Sequence, residues 1–264
     1  MQRTPLKWVG SKARIMDRLS LFLKPASRLV EPFGGSGAVM VNTEYPRYLI
    51  GDSNPDLINF HIDVRDNTDE LIAIGQELFA NNNGELMYYK LRDAFNQNRT
   101  PSVYRSALFL YLNRHCYNGV CRYNKSEGGF NVPYGHYHQP YFPEKEIRIF
   151  AFHALRAEFK CQSWLDTLLE VKHGDLVYID PPYIPISATS SFTDYTKEGF
   201  GLKEQRQLAE ALVDLGSYGI PIVASNSGAQ LALDLYKQFK ITNIFAPRSV
   251  GGASVAKEIV ATLN

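Results

Sequence analysis

The hydrophobic residues of the chain fall into two kinds of segment, short apolar runs and longer amphipathic stretches. The short runs predict β-strands at residues 28–31, 48–50, 159–161, 176–179 and 221–224. Residues 107–112 and 202–215 have the pattern of a buried and an amphipathic helix, and residues 241–245 and 259–263 are predicted to pair as a terminal antiparallel hairpin. Because strands alternate with helices, we expect an α/β fold with a Rossmann-like, mostly parallel, doubly wound sheet.

Turn and capping residues divide the N-terminal part of this pattern into a βαβ unit. The first strand runs into a glycine-rich turn at residues 33–37, after which residues 38–41 are predicted to continue as a helix. The second strand ends at Asp52. Asn54 then has the properties of a helix N-cap, with Pro55 at the first helical position, where the missing amide hydrogen costs nothing.

The middle of the chain has a different texture. Residues 65–149 are predicted to be mainly helical, with a helix start at Asn67. Glycines interleaved with aromatic residues at 117–137 indicate a hairpin or an ordered loop. The sequence therefore predicts one α/β domain of residues 1–64 and 150–264, with a mainly helical domain of residues 65–149 that carries the hairpin inserted into it.

Composition limits the class of protein. The chain has 264 residues, of which 45% are hydrophobic, so it can bury a sizeable core. We find no apolar stretch typical of a signal peptide and none long enough to cross a bilayer, and we therefore expect a cytoplasmic protein without membrane contact. Cys116, Cys121 and Cys161 are an odd, sparse set that fits reduced thiols.

Charge is unevenly distributed along the chain. The formal net charge is +1, whereas residues 88–148 contain nine Lys and Arg against four Asp and Glu, a net charge of +5. A locally basic segment indicates a surface for phosphates, although a solvated helical face would have the same charge. Charge alone leaves both interpretations open.

Three features lie where a doubly wound sheet binds its ligands, outside the carboxyl ends of the strands. The glycine turn at 33–37 allows close approach of a nucleotide-like ligand, although many such turns are only structural. Asp52 follows about 20 residues later, where a carboxylate can accept hydrogen bonds from ribose hydroxyls, and a helix-start acid is the alternative. The third feature is the sequence Asp180-Pro181-Pro182-Tyr183, directly after a predicted strand.

The Asp180 to Tyr183 sequence has the most specific chemistry. Two consecutive prolines fix the backbone and remove two amide donors, so the Asp180 carboxylate and the Pro181 carbonyl become rigid acceptors beside an aromatic ring. Such a pair suits a base with an amino group, because it binds both amino hydrogens and orients the nitrogen lone pair toward an electrophilic methyl group. A structural Pro-Pro turn requires neither the preceding Asp nor the following Tyr.

These segments, in this order, resemble the Dam family of DNA adenine methyltransferases over nearly the whole chain. The matching segments are residues 6–12, 31–37, 111–114, 117–124, 130–135 and 180–183. The resemblance implies S-adenosyl-L-methionine as methyl donor and an adenine amino group in GATC of double-stranded DNA as acceptor. It also implies base flipping, no metal and a monomer.

The resemblance assigns the α/β domain to cofactor binding and catalysis, and the inserted domain to DNA recognition. The implied catalytic residues are Asp180, Pro181, Pro182 and Tyr183. The implied cofactor contacts are Trp8, Lys12, Phe33, Gly35, Gly37, Asp52 and Asp180. The implied DNA contacts are Lys7, Arg92, Arg114, Tyr117, Asn118, Val120, Arg122, Asn124, Pro133 and Tyr137.

Some DNA contacts have individual roles by this resemblance. Lys7 matches a reader of the first guanine, and Arg122 matches a reader of the guanine paired with the final cytosine. Tyr117 and Asn118 match residues that enter the duplex beside the flipped adenine, Pro133 matches a proline near a thymine methyl, and residues 187–195 resemble a loop that closes over the target base. Departures from the family are Val120, in place of a larger apolar residue, and His136 and His138, in place of basic residues.

Other interpretations fit the residues less well. Cytosine amino methyltransferases also use a Pro-Pro-Tyr turn but commonly have Ser before it, and the RNA and protein enzymes commonly have Asn. A DNA-binding protein without activity would not need Asp52 and Asp180, and an NAD-linked enzyme would need a fuller G-x-G-x-x-G sequence. A zinc site would have to use Cys116, Cys121, His136 and His138, whose spacing is unlike that of structural zinc sites.

Overall fold

The computed structural model describes residues 1–124, 128–184, 200–247 and 255–264. Its strands are β1 (Arg28–Glu31), β2 (Tyr48–Asp52), β3 (Ala157–Cys161), β4 (Asp175–Ile179), β5 (Ile222–Ser227), β6 (Lys240–Pro247) and β7 (Val255–Leu263). Its helices are α1 (Met16–Leu19), α2 (Pro55–Asp66), α3 (Thr68–Asn81), α4 (Glu85–Gln97), α5 (Val103–His115), α6 (Glu144–Ala154), α7 (Trp164–Leu169), α8 (Leu202–Ser217) and α9 (Gln230–Leu235). No helix among the described residues is long and apolar enough to cross a membrane.

The strands form a seven-stranded sheet in the order β3-β2-β1-β4-β5-β7-β6. Strand β1 pairs in parallel with β2 and β4, with Val30 opposite Leu49 and Val177, and β4 pairs in parallel with β5. Strand β7 is antiparallel to both β5 and β6. The predicted mostly parallel sheet with a terminal antiparallel hairpin is confirmed.

Two compact units account for the internal contacts of the chain. The first contains Met1–Ala13, Gly35–Thr43 and Asn54–Cys161, and the second contains Arg14–Gly34, Glu44–Ser53 and Gln162–Asn264. The division of the chain into domains at residues 64 and 150 remains a prediction.

The second unit has its core on the strands that lie at the centre of the sheet. Val30, Val177 and Ile222 come from β1, β4 and β5, and they belong to one buried cluster with Leu208 and Leu212 of α8. These strands are buried along nearly their whole length, as expected for parallel strands with both faces covered. The packing of these strands therefore holds the polar residues at their ends in fixed positions.

Helix α5 forms the centre of the first unit. Its residues 106–113 are all buried, in agreement with the predicted buried helix at 107–112, and it packs against α2, α3 and α4. Helix α2 begins as predicted, because Asn54 Oδ1 accepts hydrogen bonds from the amides of Asp56 and Leu57 and Pro55 occupies the first position.

Two local predictions need correction. Residues 38–41 do not continue as a helix, since only Met40–Asn42 form a single 3-10 turn. The side chains of Asn42 and Thr43 donate to the carbonyls of residues 38 and 39, which competes with helix extension.

The second correction concerns the predicted hairpin. In the described part of 117–137, it is reduced to two isolated antiparallel bridges, Cys116 with Tyr134 and Tyr123 with Phe130, around a 3-10 turn at Tyr117–Gly119. The alternative of an ordered loop is the one observed.

Candidate functional site

Three carboxyl groups end three neighbouring strands of the second unit. Asp52 is the last residue of β2, Glu31 is the last residue of β1, and Asp180 directly follows β4. Because β2, β1 and β4 are adjacent and parallel, these residues share one edge of the sheet. This is the edge at which doubly wound folds bind ligands.

Glu31 is a buried acid of this edge with a strongly raised pKa. Its side chain is buried, and burial together with the nearby charge of Asp180 raises the pKa of Glu31 to about 8. Two acids this close resist simultaneous ionisation in a protein interior. A positively charged group bound beside them would stabilise the ionised pair, so this part of the edge has the electrostatic character of a cation site.

The turn after β4 is fixed by side chains from three other elements. Gln205 of α8 donates to the carbonyl of Pro182 at 2.7 Å, and Ser227 at the end of β5 donates to the carbonyl of Ile184, also at 2.7 Å. The hydroxyl of Tyr183 donates to Oε2 of Glu258 on β7 at 2.9 Å. These three hydrogen bonds hold the turn in place from neighbouring elements, and a turn held in this way suits the positioning of a ligand.

Tyr183 is held as a neutral phenol. Burial and the neighbouring charges of Asp180 and Glu258 raise its pKa well above the ordinary value. The side chain is only partly buried, so a portion of it remains accessible. A neutral aromatic ring anchored at its hydroxyl can stack on a planar base.

Phe33 is the first residue of the glycine turn and also belongs to the second unit. Its ring contacts Phe200 edge to face, with centroids 5.3 Å apart. The next residue, Gly34, packs against β2, where an added Cβ would lie 2.2 Å from Cγ2 of Ile50. This packing needs a residue without a side chain at position 34.

The glycine turn continues in the first unit beside Trp8. Gly35 and Gly37 both have positive φ angles, +48° and +70°, and a Cβ on Gly35 would lie 3.0 Å from Nε1 of Trp8. The buried His61 contacts the carbonyl of Gly35 through Nε2 at 2.8 Å, and burial lowers the pKa of His61 to about 4, which keeps it neutral. Glycine is needed at positions 35 and 37 because a side chain would be strained at these positive φ angles.

Lys12 also belongs to the first unit. It is buried, and its ammonium donates to the carbonyl of Gly10 at 3.0 Å.

The predicted DNA contacts of the first unit fall into three groups. Tyr117, Asn118, Arg122 and Pro133 are exposed, and Nε of Arg122 donates to Oδ1 of Asn131 at 2.9 Å. Lys7 and Tyr137 are half-buried and in contact, with the Lys7 ammonium 4.2 Å from the Tyr137 ring centroid.

The remaining predicted DNA contacts are engaged within the protein. Nε of Arg114 donates to the carbonyl of Pro5 at 2.9 Å, and burial lowers the pKa of Arg114 to about 10. Arg92 lies 4.7 Å from the Tyr89 ring centroid, and the amide of Asn124 donates to Gly129. Val120 is half-buried and its carbonyl accepts from the thiol of Cys116. These residues shape the loop from inside, whereas the first group is placed to meet a ligand.

The sequence analysis assigned no individual role to five residues of these sites, namely Glu31, Asn113, Gln205, Ser227 and Glu258. Glu31 and Asn113 lie within the matching segments 31–37 and 111–114, which was the signal available for them. For the other three, only the fold brings them to the site. The predicted loop at 187–195 and the basic residue Lys125 lie outside the described residues. The described residues include no group of three or more His, Cys, Asp or Glu arranged to hold a metal.

Comparison with known proteins agrees with this geometry. Residues 8–250 match the family model of the D12 class N6 adenine-specific DNA methyltransferases. The chain is 47% identical to the retron Ec67 DNA adenine methylase of Escherichia coli, over 94% of this chain and 85% of the relative. It is 42% identical to the DNA adenine methylase of Escherichia coli strain K12, over 94% and 89% of the two chains, and 41% identical to that of Serratia marcescens, over 98% and 97%.

The family match decides between the activities considered for this chain. An adenine-specific DNA methyltransferase is confirmed, and the cytosine-specific enzyme and the DNA-binding protein without activity are set aside, because the matching family is adenine-specific. The individual roles of Asp180, Pro181, Pro182 and Tyr183 remain predictions. Membership in this family implies a methyl donor and DNA as the molecule on which the enzyme acts. The chain belongs to the family of D12 class N6 adenine-specific DNA methyltransferases.

Proposed function

We propose that this enzyme uses S-adenosyl-L-methionine to methylate the N6 amino group of the adenine in GATC, and that it flips this adenine out of the duplex as a monomer. The observation that carries the proposal is the placement of Glu31 and Asp180 at the ends of adjacent strands, next to the fixed turn that contains Tyr183. An acid pair of this kind favours a cationic ligand, and the neighbouring turn suits an amino-bearing base.

The residues of this edge fit the proposed cofactor. S-adenosyl-L-methionine carries a sulfonium and an ammonium, and it supplies an activated methyl group when bound. A bound cation of this kind would favour the ionised forms of the buried Glu31 and the adjacent Asp180. Asp52 is placed at a strand end where ribose hydroxyls bind in related folds. By family resemblance, we propose contacts to the cofactor from Trp8, Lys12, Phe33, Gly35, Gly37, Asp52 and Asp180.

The proposed chemistry assigns positioning to the turn after β4. The Asp180 carboxylate and the Pro181 carbonyl accept the two amino hydrogens of adenine, which directs the nitrogen lone pair toward the methyl group. The ring of Tyr183 stacks on the base. The preceding Pro182 is held by the hydrogen bond that its carbonyl accepts from Gln205. Stacking and these hydrogen bonds offset the few kcal/mol that flipping a base costs.

DNA recognition is proposed for residues 65–149 together with Lys7, and the cofactor-binding catalytic domain is proposed for residues 1–64 and 150–264. The basic charge of residues 88–148 would attract phosphates in a salt-dependent encounter. Lys7 and Arg122 would read guanines, Tyr117 and Asn118 would enter the duplex, and Pro133 would contact a thymine methyl. The exposure of Tyr117, Asn118, Arg122 and Pro133 supports these roles.

The cofactor assignment is tested by calorimetric titration of S-adenosyl-L-methionine into the wild-type protein and two variants. Asp52→Ala should weaken binding by about 10-fold or more, because it removes hydrogen bonds to a charged acceptor. Asp214→Ala, an exposed residue of α8, is the matched control and should bind as the wild type does. Unchanged affinity of the Asp52→Ala protein would show that Asp52 is only a helix-start acid.

A further inference from the structure

One buried amide, that of Asn113 on α5, binds both backbone groups of Lys7. Oδ1 of Asn113 accepts the Lys7 amide hydrogen at 2.8 Å, and Nδ2 donates to the Lys7 carbonyl at 2.8 Å. The same Nδ2 donates to the carbonyl of Gly119 at 3.1 Å. Asn113 is fully buried, so these bonds are made away from competing water. A single side chain thus joins Lys7 to the 3-10 turn Tyr117–Gly119.

Gly119 also packs directly against the side chain of Lys7. It has a φ of +66°, and a Cβ at this position would lie 2.3 Å from Cβ of Lys7. Only glycine leaves room for the Lys7 side chain there. The turn and Lys7 are therefore in direct steric contact as well as being joined by hydrogen bonds.

The outer end of Lys7 is connected to the same turn through Tyr137. The Lys7 ammonium lies 4.2 Å from the Tyr137 ring centroid, and the Tyr137 hydroxyl accepts the amide hydrogen of Asn118 at 3.2 Å. The contacts form a closed cycle that starts at Lys7 and returns through Asn113, the turn and Tyr137. A closed cycle fixes the position of each member relative to the others.

The cycle joins parts of the chain that sequence keeps far apart. Lys7 and Asn113 are separated by 106 positions. The turn held by this cycle carries exposed side chains. Tyr117 is 57% exposed, and Asn118 is exposed as well. The hydrogen-bond network therefore ends at side chains that a bound molecule can reach.

We propose that Asn113 is a positioning residue for sequence recognition, which fixes Lys7 in register with the turn Tyr117–Gly119 so that the two engage neighbouring base pairs together. This inference rests on the proposed function, in which Lys7 reads a guanine and the turn enters the duplex. Loss of Asn113 would leave both groups present but would let Lys7 shift relative to the turn. Discrimination at the base pair read by Lys7 would then fall, while discrimination at the other positions would be retained.

The test measures methylation rates on GATC duplexes and on duplexes in which each base pair of the site is substituted singly. The proteins are the wild type, Asn113→Ala, Lys7→Ala, the double variant, and Ser106→Ala as a matched control. Ser106 is buried on the same helix and donates to Asp63 at 2.6 Å, but it has no role in the Lys7 cycle. Asn113→Asp is a second variant that keeps the acceptor for the Lys7 amide and removes the two donated bonds. Thermal unfolding of each protein establishes that it is folded.

We expect Lys7→Ala and Asn113→Ala to lower discrimination at the same single base pair, by roughly 10-fold, the scale of one lost base contact. The double variant should lose no more than Lys7→Ala alone, because Asn113 acts through Lys7. Ser106→Ala should keep the wild-type pattern. Asn113→Asp should relax the same base pair at least as much as Asn113→Ala, because its second carboxylate oxygen would face the carbonyls of Lys7 and Gly119.

The inference is overturned if both Asn113 variants slow methylation equally on every duplex, or if their losses add to those of Lys7→Ala. When Lys7→Ala relaxes one position and Asn113→Ala does not, the inference fails and the role of Lys7 in the proposed function stands. When Lys7→Ala relaxes no position, the proposed role of Lys7 fails and takes the inference with it.

Discussion

The Tyr183 hydroxyl donates a 2.9 Å hydrogen bond to Glu258, which links the turn after β4 to the antiparallel strand β7. A hydrogen bond to a carboxylate is stronger than one between neutral groups. The bond holds the phenol at its hydroxyl end and thereby limits where the ring can move. Stacking of a flipped base depends on this position of the ring.

Removing either partner of this bond should therefore cost the same. We expect Glu258→Ala and Tyr183→Phe each to lower kcat by about 10-fold, with no further loss in the double variant, because both changes release the same ring. Glu258→Gln should recover part of the activity, since an amide oxygen can still accept the hydrogen bond. Single-turnover methylation rates measure the effect, and Lys257→Ala on the same strand is the control. Additive losses in the double variant would show that Glu258 acts elsewhere.

Glu31 should make folding stability depend on pH. Its pKa in the folded protein is about 8, against an ordinary value of 4.5, so the folded state retains a proton that the unfolded state releases. Stability from this group is fully present below about pH 4.5 and is lost as pH rises toward 8. Among the described residues, the titratable groups whose charges interact with Glu31 include Asp180, Tyr45 and Tyr178.

Urea unfolding between pH 5 and 8 tests this, comparing the wild type with Glu31→Gln at the same ionic strength. The free energy of unfolding of the wild type should fall relative to that of Glu31→Gln as pH rises, by up to about 1.4 kcal/mol per pH unit for one proton. A difference that stays constant across this range would show that Glu31 is ionised in the folded protein.

Arg122 should read a base and not a phosphate. Nε of its guanidinium donates a hydrogen bond to Asn131. This bond does not use the two terminal nitrogens, which can donate together to the paired acceptors of guanine. Arg122→Ala should relax discrimination at one base pair by about 1–3 kcal/mol and leave the other positions unchanged. Methylation rates on singly substituted duplexes measure this, with Lys90→Ala as an exposed basic control from the same region. If Arg122→Ala slows every duplex equally, Arg122 contacts the backbone.

Much of the α/β scaffold could be predicted from the sequence because apolar runs and turn residues are local signals. The strand at Arg28–Glu31 and the Asn54 cap followed from such signals, as did the terminal hairpin, and all three are confirmed. Helix α4 was not assigned, because its pattern is weakly apolar and only Tyr88 and Phe95 are buried. The short helix expected at 38–41 failed because the Asn42 and Thr43 side chains compete for its carbonyls.

Part of the candidate site could also be predicted from the sequence. The Asp180 to Tyr183 turn carries its chemistry within four consecutive residues, so the sequence alone could indicate it. Asn113 and Glu258 act through contacts with residues far away in the chain, 106 and 75 positions respectively, which no local pattern encodes. The raised pKa of Glu31 depends on burial and on Asp180, and both arise only when β1 and β4 pair.

We propose that Asp180 orients the amino group of an adenine in GATC for methyl transfer, and sequencing of methylated bases measures base, position and target sequence together. Duplex DNA is incubated with S-adenosyl-L-methionine and with the wild type, Asp180→Ala, or Asp214→Ala as an exposed control. The wild type and Asp214→Ala should place N6-methyladenine in GATC, whereas folded Asp180→Ala should place none above background. Methylation outside GATC, on another base, or at near-normal rate by the folded Asp180→Ala protein would contradict it.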